Sequence, residues 1–212
     1  MRESVVKRIV LIAALAMVAP CLAAAQDAAP ALEENPKAAH FKDVERGFFV
    51  GFDVGYIGLL QTPTADKVDH KYAGDSGGYA GGMLVGLEVG YDINPRLSMS
   101  VFGQGSNQKA KPSYGAFSLY TAGADVRYAF YGAKDRNDWE RFFFYAHARG
   151  SYGMTYPKGL FGTNEVLLQA GPGLEYFTRL RHFSIGFALD YLYATRAKAS
   201  GFAAYPTVRY TF

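Results

Sequence analysis

The chain has 212 residues, a formal net charge of only +3, and 50% hydrophobic residues at a mean hydropathy of -0.05. That length suits one domain, and so low a hydropathy excludes a bundle of membrane helices. The basic residues form no stripe, which argues against a nucleic-acid partner. The 24 Gly beside 16 Tyr and 16 Phe exceed what an ordinary soluble domain carries.

Arg2, Lys7 and Arg8 precede a short apolar stretch at 9–18, and Ala23, Ala24 and Ala25 stand before Gln26. This order predicts that residues 1–25 are a secretory signal peptide. The apolar stretch falls short of the ~20 residues a membrane-spanning helix needs, which disfavours a retained anchor. The one cysteine, Cys21, lies inside this segment, so the mature chain is expected to have no disulfide and no thiol chemistry. Pro20 stands where a lipoprotein acylation signal carries a small residue, which disfavours lipidation. Residues 26–46, rich in Ala, Pro and charge, show no alternation and read as a periplasmic lead-in, mobile or briefly helical.

From Gly47 onward the hydrophobic pattern has a period of two, as in a strand that sends successive side chains to opposite faces. In 47–57, Phe48, Val50, Phe52, Val54 and Tyr56 share one face, and Phe49, Gly51, Asp53 and Gly55 the other. A loop rich in Gly, Asp and Lys leads to the second run, 79–92. There Met83, Val85, Leu87, Val89 and Tyr91 alternate with Leu84, Gly86, Glu88, Gly90 and Asp92. Asp92-Ile93-Asn94-Pro95-Arg96 marks a turn. The third run, 97–105, sets Leu97, Met99 and Val101 against Ser98, Ser100 and Gln104, and a polar stretch at 107–112 follows.

The fourth run reaches Tyr131, with Tyr120, Ala122, Ala124, Val126, Tyr128 and Phe130 opposite Thr121, Gly123, Asp125 and Arg127. After a charged connection at 132–141, the fifth run, 142–156, sets Phe144, Ala146, Ala148 and Tyr152 against Tyr145, His147, Arg149 and Ser151. The sixth, 164–177, sets Val166, Leu168, Ala170, Leu174 and Tyr176 against Glu165, Gln169, Gly171, Gly173 and Glu175. A short basic turn at 178–182 leads to the seventh, 183–194, where Phe183, Ile185, Phe187, Leu189, Tyr191 and Tyr193 oppose Ser184, Gly186, Ala188 and Asp190. The eighth, 202–212, has Val208, Tyr210 and Phe212 on one face and Tyr205, Thr207 and Arg209 on the other. Pro172 and Pro206 fall inside strands, where each lacks a ladder donor, so a bulge or local irregularity is expected at both.

These runs predict an all-β fold: an eight-stranded antiparallel up-and-down transmembrane barrel over 47–212, its apolar face turned to lipid. Long and short connections alternate, as expected of outer loops and periplasmic turns, with 132–141 as the departure. Outward Tyr56, Tyr79, Tyr120, Tyr152, Tyr193 and Phe202 fall at one end of their strands. Phe48, Tyr91, Phe130, Phe144, Tyr176, Phe183 and Tyr210 fall at the other. Two aromatic belts suit the two membrane–water boundaries, which a soluble β-sandwich has no reason to mark. Residues 48–56 match the ~9–11 residues of a spanning strand.

The stretch from Gly47 to the end resembles small bacterial outer-membrane barrels of the OmpA/OmpX type. Val208, Tyr210 and Phe212, at alternate positions with a terminal Phe, resemble the C-terminal insertion signal of such proteins. The resemblance implies a place in the bacterial outer membrane, contact with its lipid and lipopolysaccharide, and handling by the barrel-assembly machinery. No peptidoglycan-binding domain is expected after the barrel, so the resemblance does not imply that activity. A looser resemblance, resting on layout and on Glu45-Arg46-Gly47-Phe48-Phe49, is to barrel proteins associated with myxobacterial adventurous gliding.

The inward face predicts a lumen charge network of Asp53, Glu88, Asp92, Asp125, Arg127, His147, Arg149, Glu175, Asp190 and Arg209. So narrow a barrel is filled by its own side chains, so these charges are expected to pair as a plug rather than to line a gated ion path. The inward glycines are expected to make room for them.

Chemistry is sparse elsewhere. His182-Phe183-Ser184 resembles the His-x-Ser pair of lipid A deacylases, but it lies by a periplasmic turn, away from the outer leaflet, and parity sends both residues inward. Asp66, Asp69, His70 and Asp75 in the loop 58–78 match no standard calcium or zinc spacing. No catalytic residue, metal or cofactor is therefore expected. Lys109, Lys111, Lys158, Arg196 and Lys198 fall in expected outer loops, where they suit lipopolysaccharide phosphates or plain solubility. The function expected is a non-enzymatic barrel displaying surface loops. The alternatives are an envelope-machine component, for motility or secretion, and a lipid-modifying enzyme.

Overall fold

A computed structural model describes residues 46–60, 79–110, 116–134, 139–156, 165–178 and 182–212, without the side chains of 79, 80 and 110. The expected signal peptide with Cys21, the lead-in up to residue 45, and Asp66, Asp69, His70, Asp75, Lys111 and Lys158 lie outside the described residues, as does the Tyr79 side chain.

The alternating runs form β1 (Phe48–Leu59), β2 (Tyr79–Asp92), β3 (Leu97–Ala110), β4 (Ala116–Lys134), β5 (Glu140–Tyr156), β6 (Glu165–Phe177), β7 (Phe183–Ala194) and β8 (Ala199–Thr211). Each pairs antiparallel with its sequence neighbours, and β8 returns to β1 to close the barrel, from Phe49↔Thr211 to Leu59↔Gly201. Closure satisfies the backbone of every strand without an edge, the condition for a sheet to stand in lipid. The Phe212 amide donates to the Phe48 carbonyl at 2.9 Å, which ties the end of the chain to the start of β1.

Facing follows the period-two pattern. In β7 Phe183, Ile185, Phe187, Leu189, Tyr191 and Tyr193 are exposed on the outside, while Ser184, Ala188, Asp190 and Leu192 are buried within. The outer wall is apolar on every strand, and its aromatics stand in two belts. Tyr56, Tyr120, Tyr152 and Tyr193 mark the end with long connections; Phe48, Tyr91, Phe130 and Tyr176 mark the other. An exposed apolar surface around a whole closed barrel is stable only in a lipid layer.

Several strand ends differ from expectation. β3 runs on through Asn107, Gln108 and Lys109, so Lys109 belongs to a strand and not to an outer loop. Gln108 is fully buried and donates to Ser106 Oγ at 3.2 Å. Strand hydrogen bonds continue where the barrel rises out of lipid, whereas a hydrophobicity pattern stops at the lipid boundary. For the same reason β8 begins at Ala199. β4 and β5 extend to Lys134 and Glu140, which reduces the anomalous connection to 135–139 and restores the rule of short turns at that end.

The prolines produce no bulge. Pro172 keeps its register with Ala146, and Pro206 keeps its register with Phe187. On the opposite side of each, the ladder skips two positions and resumes in the same register: from Ala170↔Tyr191 to Gly173↔Ala188, and from Asp53↔Thr207 to Tyr56↔Ala204. A missing donor thus costs local pairing without inserting a residue. Register shifts occur instead between Ala80 and Met83, and in β4 at Ala129/Tyr131 and Ala133/Lys134.

Candidate functional site

Among the described residues, charged side chains converge inside the barrel. All ten residues of the charge set read from the sequence are buried there. Six carboxylates (Asp53, Glu88, Asp92, Asp125, Glu175, Asp190) meet three guanidinium groups (Arg127, Arg149, Arg209) and one imidazole (His147).

Arg149 stands at the centre. Its Nε donates to Asp125 Oδ2 at 3.2 Å, and its Nη atoms lie 3.6 Å from Asp53 and 3.7 Å from Glu88. The rings of Phe102 and Tyr205 flank its guanidinium at 4.8 and 5.0 Å. Arg127 bridges Glu88 at 3.6 Å and Glu175 at 3.3 Å while lying over the Tyr145 ring. Arg209 joins Asp92 and Glu175 and rests on Phe49. His147 presents Nδ1 to Asp125 at 3.4 Å and Nε2 to Asp190 at 2.6 Å. Hydroxyls complete the shell: Thr207 donates to Asp53, Tyr205 to Asp190 and Ser184 to Glu175, at 2.9, 2.9 and 2.6 Å. Buried charge persists only when so paired.

Glycines make the space. A Cβ at Gly51 would strike the Glu88 side chain, and one at Gly173 the Tyr145 ring. Not every glycine serves this purpose: Gly103 and Gly150 lie on the exposed wall with nothing near them.

The charge set is only part of the filling. Toward the end with long connections the inward face turns apolar: Ile57, Leu59, Leu84, Phe117, Leu119, Leu167 and Leu192 pack as one buried cluster with Ala194, Ala197 and Ala199. Toward the end with short turns Phe143, Tyr145, Phe177 and Ala129 form a second. Alternation places Leu84 inward, and Leu119, Leu167 and Leu192 also stand at inward parity. A lumen face read only for its polar residues does not register this apolar cluster.

Glu165 stands at inward parity, as the alternation predicts, but outside the charge set read from the sequence. It is fully buried and accepts the Arg196 and Ala197 amides at 2.7 and 2.9 Å, fixing the turn 195–198 in which Lys198 adopts φ 51°. Its partners are backbone groups of another element, which no side-chain pattern records.

At the short-turn mouth, Gly47 takes φ +149°, a conformation that side-chain-bearing residues rarely adopt. There Arg46 lies over the rings of Phe143 and Phe177 at 4.8 and 5.2 Å. Burial pushes the Arg46 guanidinium below the ordinary arginine range, against the pull of Asp92 and Glu175.

The His182/Ser184 pair separates. Ser184 points inward and its hydroxyl donates to Glu175. His182, expected inward by parity, instead stacks on outward Tyr210 at 5.5 Å, with Nδ1 2.8 Å from the Thr211 carbonyl. Standing in the turn before β7, it is not bound by strand alternation. The two side chains do not form a base–nucleophile couple.

Solved structures similar to this fold include the following three. Neisserial surface protein A (NspA) is 21% identical, with a TM-score of 0.57 over 78% of this chain and 97% of that one. The outer membrane protein OprG of Pseudomonas aeruginosa is 11% identical, with a TM-score of 0.48 over 81% of this chain and 99% of that one. Ail, the attachment invasion locus protein of Yersinia pestis, is 15% identical, with a TM-score of 0.45 over 79% of this chain and 100% of that one. No family model matches the sequence, and no curated protein matches it. The chain has the fold of the small eight-stranded bacterial outer-membrane barrels, with a lumen filled by its own side chains.

Proposed function

We propose that the chain is a non-enzymatic outer-membrane barrel whose working surface is its outer connections, held out by a rigid, filled barrel against lipopolysaccharide and other envelope components. The observation that carries this reading is the filled lumen: an apolar cluster above, ion-paired charge at the centre, aromatic rings below. Such a barrel offers its outer connections and its lipid-facing wall for interaction. Arg196 and Lys198, exposed in the turn 195–198, supply cations on the outer side for phosphate groups. On the same reading, residues 1–25 direct export and 26–46 precede the barrel on the periplasmic side. Val208, Tyr210 and Phe212 present the apolar face by which the assembly machinery takes up the last strand.

The test is conductance and binding together. Refolded protein in planar bilayers is expected to give no stable porin-size steps, and to retain lipopolysaccharide on vesicles more tightly than an Arg196→Glu/Lys198→Glu variant. Reproducible large steps, or catalytic change in the lipid A recovered, would overturn the reading.

A further inference from the structure

Among the described residues, two ladders break at mid-strand without a register shift, and both border the β7–β8 hairpin. Between β6 and β7 the pairing skips Leu189 and Asp190; between β8 and β1 it skips Tyr205 and Pro206. The Leu189↔Ala204 pair lies between the gaps, so the two stand at nearly one height. The β1–β2, β3–β4, β5–β6 and β7–β8 ladders have no such gap. Those of β2–β3 and β4–β5 shift register only toward a strand end. At each gap a proline, Pro172 or Pro206, lacks the donor. A Cβ on Gly171 would strike the Leu189 carbonyl, and one on Gly55 the Ala204 carbonyl. The backbones therefore stay close at both gaps without a full ladder between them.

Lumen side chains span the same gaps. Gly171 stands in register between His147 of β5 and Asp190 of β7, and puts no side chain in the way. His147 Nε2 reaches Asp190 Oδ1 at 2.6 Å. Across the other gap, Thr207 of β8 donates to Asp53 of β1 at 2.9 Å. Glu165 of β6 grips the hairpin tip at the Arg196 and Ala197 amides, and Glu175 of β6 takes Ser184 and Arg209 nearer its base. Within the hairpin Tyr205 donates to Asp190, which ties one edge to the other. We propose that β7–β8 docks into and leaves the barrel wall as one unit, latched from the lumen by His147–Asp190 on one edge and Thr207–Asp53 on the other. Its own ladder, unbroken from Phe183↔Tyr210 to Ala194↔Ala199, holds the hairpin together while both outer ladders open. Unpaired edges are costly in lipid, so the open state is brief and rare.

Residue-resolved amide exchange of the full barrel, refolded in maltoside micelles, tests this. Mid-strand amides joining β6 to β7 and β8 to β1 are expected to exchange at one common rate. That rate should exceed by about tenfold or more the rates within β7–β8 and within β3–β4. Pro172→Ala returns a donor to the β6–β7 edge and is expected to slow exchange there about fivefold. The β8–β1 ladder, which that substitution does not touch, should slow equally. Thr207→Val, checked for folding by heat-modifiability, is expected to speed exchange about fivefold at both edges. Unequal rates at the two edges, or a common rate no faster than that of β3–β4, overturn the proposal. So does a Pro172→Ala effect that is absent or confined to β6–β7. The readout does not depend on lipopolysaccharide binding or conductance, so it can fail while the surface-display reading stands.

Discussion

The outer and inner halves of the lumen are filled by opposite chemistries within one narrow barrel. The outer half is closed by Ile57, Leu84, Phe117, Leu119, Leu167 and Leu192, without an ion pair in the cluster. The inner half is closed by carboxylates and guanidinium groups interleaved with aromatic rings. Both fill the lumen among the described residues, but they respond differently to loss of a part. An apolar cluster tolerates a smaller residue at the cost of a cavity, whereas a charge cluster that loses one member leaves unpaired charge behind. The difference also bears on permeation. An ion entering from the periplasm meets charged partners, but one entering from outside meets a largely apolar layer whose buried carboxylate, Glu165, is already engaged by backbone amides.

The largest effect is expected at the centre of the inner half. Arg149→Met leaves Asp53, Glu88 and Asp125 short of their shared cation and should cost about 3–5 kcal/mol. Urea unfolding from lipid vesicles measures it. A loss under ~1 kcal/mol, the scale of exposed pairs, would mean that the inner half is wet and its charges solvated.

In the outer half, Leu192→Ala removes a side chain with no exposure and should cost about 2–5 kcal/mol by leaving a cavity. Single-channel recording of the same variant sharpens the comparison. If the outer cluster is the permeability barrier, brief small-conductance events should appear with Leu192→Ala and not with Arg149→Met. The reverse assignment would place the barrier in the charge cluster.

A third pair tests the facing on which both halves depend. Leu189 is 47% exposed on the lipid wall, and Leu189→Arg should cost on the order of 2–4 kcal/mol near the bilayer midplane. Its neighbour Asp190 accepts from Tyr205 and faces His147, and Asp190→Asn retains an acceptor for both, so the effect should be smaller. Heat-modifiability after refolding decides between them. If Leu189→Arg folds like the parent protein while Asp190→Asn fails, lumen and lipid faces have been exchanged.

Strand number, facing and most boundaries of this protein are legible in the sequence. A membrane barrel must alternate side chains between lipid and lumen, and each strand records that alternation locally. Membership of the inner charge set is legible for the same reason: parity alone sends Asp53, Glu88, Arg149 and Arg209 inward. Parity does not say which carboxylate meets which cation. Arg149 in β5 reaches Asp53 in β1 and Glu88 in β2, across the lumen from strands that are not its neighbours, and only barrel closure brings them together. Closure likewise decides that inward leucines from β2, β4, β6 and β7 share one apolar layer, that Arg46 reaches Phe143 and Phe177, and that Glu165 caps a turn some thirty residues away. Alternation is a property of each strand by itself, whereas the height at which a side chain stands in the lumen depends on the register of all eight strands.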